Sequence, residues 1–521
     1  MQTIIFHNIT WFLPETIEEV KTLVSKAKQE NKKIIVRGAG HSFPFSPLMA
    51  KAADCVHVML TYLNEITEID RDTGVVTVQA GCHLGQDPLD PAKVSTEINS
   101  LLYQLDPITT EGRRNTPPGW TVGDLGGIIH QTIGGFTATG SSGGSVKYAF
   151  EDAIIAVRVV YHDETGVREK IFYRPKEENP DDPFWGIGYT HLGLMGVIVE
   201  FTLQCVPAFN ITGSEITSKL NECEVDLFGD GDGNKPGLKQ FLTQTEYTRL
   251  IWWPQSVVKK AVVWKAKRID AADWSTFVPK PYEEVPTIPW FPNLIQKVAG
   301  AIFTFINWLY NLIRKIIKKL FGKSPREQQE EKESVKTEDE LLLKTVLQLF
   351  AKAGTQKFWD IGWRGIPMDN NMSDVYMPVW FTELWISLDK AKEVMESLRE
   401  FYKDPLNCGT FCIEIYAGKK SEFWLNPAYG TDVIRIDVFW FAKQSADPAE
   451  YFSRYWKELS PFLFRCHWGK YLPAADSKQG AAYLRSRYPK FDSFAQLRKK
   501  MDPYNIFLNP YWKEHLGFEE E

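Results

Sequence analysis

The sequence predicts an α+β chain built from more than one unit, and three observations carry that expectation. Strand-like runs are short and outnumber the helical ones. Glycine-rich stretches stand where strands end, and the character of the chain changes near residue 209. With 521 residues the chain is also too long for one ordinary core.

Taken in order, Pro14 reads as the first residue of a helix over 14–29, with Glu15, Glu18 and Glu19 near its positive end. Ile17, Val20, Leu23, Val24 and Ala27 recur at helical spacing and give it one core-facing stripe. KIIVR (33–37), VHVML (56–60) and VVTVQAG (75–81) are strands, the last entered through the turn RDTG. Residues 90–105 are expected to be helical, with Ile98, Leu101, Leu102 and Leu105 on one side. The glycine-rich run 122–145 follows. Two strands then flank the turn HDETG, and HLGLMGVIVEFTLQC (191–205) closes a first unit, 1–208. From 209 to 480, runs such as RLIWWP, KAVVWKAKR, TFCIEIYAG and DVIRIDVFWFAK alternate with the helix LDKAKEVMESLREFY (388–402). A large antiparallel sheet covered on one face by helices is expected there. Residues 481–521 form a C-terminal segment.

Within that second unit, 283–340 is unlike its surroundings. VAGAIFTFINWLYNLI (298–313) carries no charge, and RKIIKKLFGK follows directly. A bilayer-spanning helix needs about 20 apolar residues, so an interfacial helix over 290–322, its lysines meeting anionic headgroups, is expected instead. A helical hairpin packed on the protein or on a second subunit is the alternative.

The net charge of −6 gives no basic field for nucleic acid. Seven cysteines, odd in number and mostly far apart, form neither a zinc-type spacing nor a disulfide framework. Reduced thiols and no metal site are expected, in a protein that is cytoplasmic or peripheral on an intracellular membrane. The start, MQTIIFHNITWFLPE, lacks the features of a secretory signal.

Three separated segments carry the chemistry. IIVRGAGHS (34–42) runs from a strand into glycines and then a histidine. TIGGFTATGSSGGS (132–145) offers many backbone amides and small hydroxyls, and HWGK (467–470) supplies a cation. Successive N–H groups in such turns suit a pyrophosphate, yet neither a Rossmann fingerprint nor a Walker loop is present. CIEIYAG places Glu414 and Tyr416 on one strand face, and Arg435 and Asp437 share a face in IRIDVFWF.

In their order and spacing these segments resemble those of the vanillyl-alcohol-oxidase type of flavoprotein, and within it the sugar-lactone and alditol oxidases. The resemblance implies a two-subdomain FAD-binding domain of the PCMH type, a substrate or cap domain, and a terminal stretch that returns to the flavin. It places Arg37, Gly38, Ala39, Gly40, His41 and Ser42 in a first flavin loop, with His41 bonded covalently to FAD. Gly127, Thr132, Gly135, Thr139, Gly140, Ser141 and Ser142 fall in a second loop, and Val197 and Ile198 in a third segment. Lys470 would stand by the pyrimidine end of the flavin, where a cation stabilises the charge that develops on reduction.

The catalytic candidates are therefore Lys470, Glu414, Tyr416 and His467. Relatives of this type carry Glu-x-Arg where this chain has Glu414 and Tyr416. Arg435 either replaces that cation or pairs with Asp437. Gly126 and Gly127, lacking side chains, leave room for O2 on this reading. The implied activity is hydride transfer from a hydroxyl-bearing carbon to FAD, with O2 reduced to H2O2. The partners are a small-molecule alcohol and O2, and not nucleic acid. A lipophilic alcohol such as a sterol or terpenoid is a second reading, and a non-catalytic binding or scaffold protein a third.

Overall fold

The computed structural model describes residues 1–42, 54–256, 258–284, 297–298, 301, 304–305, 351–372, 375–376, 378–404, 407–409, 411–442 and 447–518. The insertion 283–340, and with it the membrane contact expected of 290–322, lies outside the described residues apart from a few isolated positions. Among the described residues no helix is long and apolar enough to cross a membrane.

Four strands, β1 (Gln2–Phe6), β2 (Ile9–Leu13), β3 (Lys33–Arg37) and β4 (Cys55–Met59), form a sheet in the order β1-β2-β4-β3. In it β4 runs parallel to both its neighbours. The next strands are β5 (Ile66–Asp70), β6 (Val75–Gln79), β7 (Trp120–Thr121), β8 (Ile154–Asp163), β9 (Gly166–Tyr173), β10 (Val197–Gln204) and β11 (Val206–Pro207). Five of them make an antiparallel sheet, β5-β6-β10-β8-β9, while β7 and β11 pair by themselves.

The helix Ile17–Gln29 packs on β8, β9 and β3 and buries Val20, Leu23, Val24 and Ala27. It begins later than Pro14. Thr16 is extended, and its side chain accepts the Glu19 N–H, so the hydroxyl cap sets the start. The helix expected over 90–105 shrinks to Leu101–Leu105. Upstream, the Asp90 carboxylate accepts the N–H groups of Ala92, Val94 and Ser95 at 3.0, 2.7 and 2.9 Å. Those bonds wind the chain into a turn that competes with helix, and Ile98 is left exposed.

The third sheet is antiparallel and eight-stranded, as the second unit's alternating runs imply. Its strands are β12 (Asn210–Lys219), β13 (Tyr247–Trp253), β14 (Lys260–Ile269), β15 (Gly354–Ile361), β16 (Val379–Ser387), β17 (Ile413–Gly418), β18 (Val433–Phe441) and β19 (Arg465–Cys466). They lie in the order β15-β12-β14-β13-β17-β18-β16-β19. The register aligns Leu250, Ile415, Ile436 and Leu384 across four strands, and all four are buried in the main core. Helices Ala391–Phe401 and Pro448–Leu459 cover that face, and the Trp456 indole donates to Thr382 Oγ1 of β16 at 3.0 Å. Because side chains alternate along a strand, the residues between these point to the other face. That face is the floor of the site.

The chain end lies against the first sheet. The Ile34 N–H donates to Ile506 O at 2.8 Å, and Lys33 Nζ to Asn505 O at 2.7 Å. All seven cysteines are free.

Candidate active site

Two cavities meet along one wall. The first, of about 220 Å³, lies between the loop after β3, the start of the helix Ile133–Ala138, the turn before β10 and the segment His467–Lys470. The second, of about 290 Å³, opens over the eight-stranded sheet. His41, Gln131, Ser141, His467 and Lys470 line both.

The first cavity is shaped by close backbone approach. A Cβ on Gly38 would stand 2.7 Å from Thr132 Oγ1 and 3.3 Å from Gly135 Cα, so two segments nearly a hundred residues apart touch there. Gly40 turns the chain with φ +91°, a conformation that side chains disfavour. Thr132 is the cap of a short helix, accepting the Gly135 N–H at 3.1 Å; the run expected as loop is therefore partly helical. Arg37, Gly38, Ala39, Gly40, His41, Ser42, Thr132, Gly135, Thr139, Ser141, Val197, Ile198 and Lys470 all line this cavity. Gly127 and Ser142 line only the second, and Gly140 (φ +76°) lines neither, facing Thr190 instead.

These walls fit an FAD. A Cβ on Gly469 would come within 3.1 Å of Thr139 Oγ1 and 3.2 Å of Ser42 Oγ, which makes this a cradle of bare backbone among small hydroxyls. Gln131 Oε1 and His191 Nε2, both on the wall, are buried without a hydrogen bond among the described residues. Such atoms call for a polar ligand.

The histidines on the shared wall are neutral. Burial pushes the His41 pKa down to about 3, helped by the charges of His130 and Lys470. Burial also takes His467 to about 4, and its Nδ1 accepts the Gly469 N–H at 3.0 Å. Lys470 Nζ donates to His41 O at 3.3 Å and sits 3.9 Å over the Phe381 ring.

The floor of the second cavity is ordered in rungs by strand register. Ile251, Glu414, Asp437 and Glu383 lie side by side on β13, β17, β18 and β16. Two residues along, Tyr416 pairs with Arg435, and Arg249 projects beside them from β13. On the other side of the carboxylates, Phe439 pairs with Phe381, with Trp253 and Phe411 nearby. A carboxylate rung thus separates cationic and aromatic ones.

Hydrogen bonds bind the polar rungs together. Tyr416 OH donates to Glu414 Oε2 at 2.8 Å and reaches Asp369 Oδ2 at 3.3 Å. Arg249 is ion-paired to Asp369 and, at 3.3 Å, to Glu215. Burial, then the charge of Asp369, raises the Glu414 pKa to about 8 despite Arg249.

One expectation is corrected here. Arg435 does not pair with Asp437. It donates to Glu383 Oε1 at 2.7 Å and to the Gly143 and Ser142 carbonyls at 2.6 and 3.1 Å, because register sets Glu383 within reach across the ladder. Gly126 and Gly127 both line the second cavity. A Cβ on Gly127 would stand 2.5 Å from Asp369 Oδ2, and one on Gly126 3.3 Å from the Phe136 ring.

Arg249, Asp369 and Glu383 were not singled out in the sequence. Arg249 and Glu383 each interrupt an apolar strand, YTRLIWW and WFTELWIS, and that interruption is a usable signal. Asp369 sits in an ordinary loop and offers none.

A sequence model described as D-arabinono-1,4-lactone oxidase matches residues 201–515, and one described as an FAD binding domain matches residues 10–86. L-gulonolactone oxidase of Scyliorhinus torazame is 23% identical over 515 residues, 96% of this chain and 93% of that protein. L-gulono-1,4-lactone dehydrogenase of Mycobacterium tuberculosis is 23% identical over 509 residues, 97% of this chain and 95% of that protein. Among solved structures, cholesterol oxidase from B. sterolicum superposes with a TM-score of 0.66 at 15% identity, over 98% of this chain and 94% of that one. A chitooligosaccharide oxidase gives 0.56 at 14%, over 96% and 90%. At such identities the structural likeness speaks for the fold alone.

Proposed function

Because the chain belongs to the D-arabinono-1,4-lactone oxidase family, we propose that it oxidises a hydroxyl-bearing carbon of a sugar-lactone or alditol type of substrate, with O2 as acceptor. It is an FAD-dependent oxidoreductase. The observation that carries the substrate-side reading is the shared wall. His41 and Lys470 face both cavities, and Glu414 lies on the floor of the second. Bound FAD would supply the hydride acceptor and the means by which O2 is reduced to H2O2.

The chain's own residues do the rest. Arg37–Ser42, with Thr132, Gly135, Thr139 and Ser141, hold the cofactor by backbone and small hydroxyls. His41, neutral, is the tether, since only an unprotonated imidazole is a nucleophile toward an activated flavin methyl. Lys470 places positive charge where reduction builds negative charge. Glu414 takes the proton of the reacting hydroxyl when ionised, and the Tyr416 hydroxyl fixes its orientation. His467 anchors the turn that carries Lys470 through its bond to Gly469.

The aromatic rung of Phe439 and Phe381 favours a second reading, a lipophilic alcohol. Turnover separates the two. Purified protein is assayed for H2O2 with L-gulono-1,4-lactone, D-arabinono-1,4-lactone, xylitol and cholesterol. Oxidation of a lactone or of xylitol supports the first reading, and oxidation of cholesterol alone replaces it with the second.

A further inference from the structure

We propose that Asp437 reads a second hydroxyl group of the substrate, beside the one that reacts at Glu414, and so makes the enzyme selective for polyhydroxylated alcohols. The inference rests on the function proposed above. Register places Asp437 directly between Glu414 and Glu383 on the cavity floor. Its two neighbours are already engaged: Glu383 accepts from Arg435 and the Trp385 indole, and Glu414 accepts from Tyr416. Asp437 Oδ1, by contrast, is buried and has no hydrogen-bond partner among the described residues.

A buried polar oxygen left unpaired is costly, and the cavity onto which Asp437 opens is where a partner must enter. Burial, then the negative charge of Glu383, raises the Asp437 carboxyl well above the usual range, which favours its protonated form. In that form it donates as well as accepts, which suits a hydroxyl group. An alcohol with a single hydroxyl engages Glu414 and leaves Asp437 unsatisfied. Sites built to bond a hydroxyl reject analogues that lack it far more strongly than apolar pockets reject a missing methylene.

The test compares xylitol with 1-pentanol, which has the same five-carbon chain and a single hydroxyl. Each is measured by kcat/KM or, if not oxidised, by its inhibition constant against L-gulono-1,4-lactone. Wild type is expected to prefer xylitol by at least about tenfold. Asp437→Ala should abolish that preference, while Asp437→Asn, which keeps a donor and an acceptor, should retain most of it. FAD content and melting temperature report whether each variant is folded, and Asp437→Val stands in if the alanine variant is not. A wild type without preference, an Asp437→Ala or Asp437→Val variant that keeps it, or equal loss in Asp437→Asn overturns the assignment. If wild type oxidises no lactone or alditol, the underlying function fails instead, and the two failures are distinct.

Discussion

Replacing Glu414 by glutamine removes the proposed base while keeping its size and its contact with Tyr416. With a carboxyl pKa of about 8, Glu414 is roughly 1% ionised at pH 6, about 10% at pH 7 and half ionised at pH 8. If the ionised form takes the substrate proton, kcat/KM climbs about tenfold from pH 6 to 7, about fivefold from 7 to 8, and less than about twofold beyond. Glu414→Gln should lose about 10²–10⁴ in kcat/KM, the range for a positioned general base, and its remaining activity should lack this limb. Asp369→Asn adds a second check with a defined sign. The Asp369 charge raises the Glu414 pKa, so its removal moves the limb to lower pH. The assay is peroxide release under substrate-limited conditions from pH 5.5 to 9, with flavin absorbance confirming equal loading. A flat wild-type profile across that range, or a glutamine variant with the wild-type limb, would refute the argument.

Other consequences follow from the same geometry. His41→Ala should release its flavin on acid precipitation, whereas wild type keeps the colour in the pellet; retention by the variant counts against the tether. Glu383→Gln leaves the Arg435 guanidinium buried without its charge partner, at a cost of about 3–5 kcal/mol, to be read as a lowered midpoint in urea. Arg435, with Lys470, holds Glu383 below the ordinary glutamate range against the effect of burial. Wild type therefore keeps this contribution above the unfolded value and loses it as pH falls through the folded one, and the variant should lack that acid sensitivity. For 290–322, flotation of full-length protein and of a deletion lacking that run with anionic liposomes should separate the two; equal flotation removes the peripheral-membrane reading.

How much the sequence disclosed depended on how local the determinant was. The loop Arg37–Ser42 and the segment HWGK were legible because glycines after a strand and a cation beside them are contiguous signals. Glu414 and Tyr416 were placed on one face by alternation alone, and the structure keeps them there. What escaped is what register and long-range packing create. Arg249 meets Asp369 across 120 residues, and Glu383 reaches Arg435 across 52. No spacing within one strand encodes which residue of another will stand opposite. Helix ends failed for a different reason. Apolar periodicity marked a helix after Pro14 and over 90–105, but the Thr16 cap and the turn held by Asp90 decided where backbone N–H groups were satisfied.

The central proposed step is that a substrate in the second cavity delivers electrons to a flavin in the first. Anaerobic mixing of the purified yellow protein with L-gulono-1,4-lactone or xylitol tests it most directly. The visible flavin absorption should be lost within the turnover time and return on admitting air, with one H2O2 per substrate oxidised. A protein that is colourless even after incubation with FAD, or a bound flavin whose absorption no lactone or alditol bleaches, would contradict it.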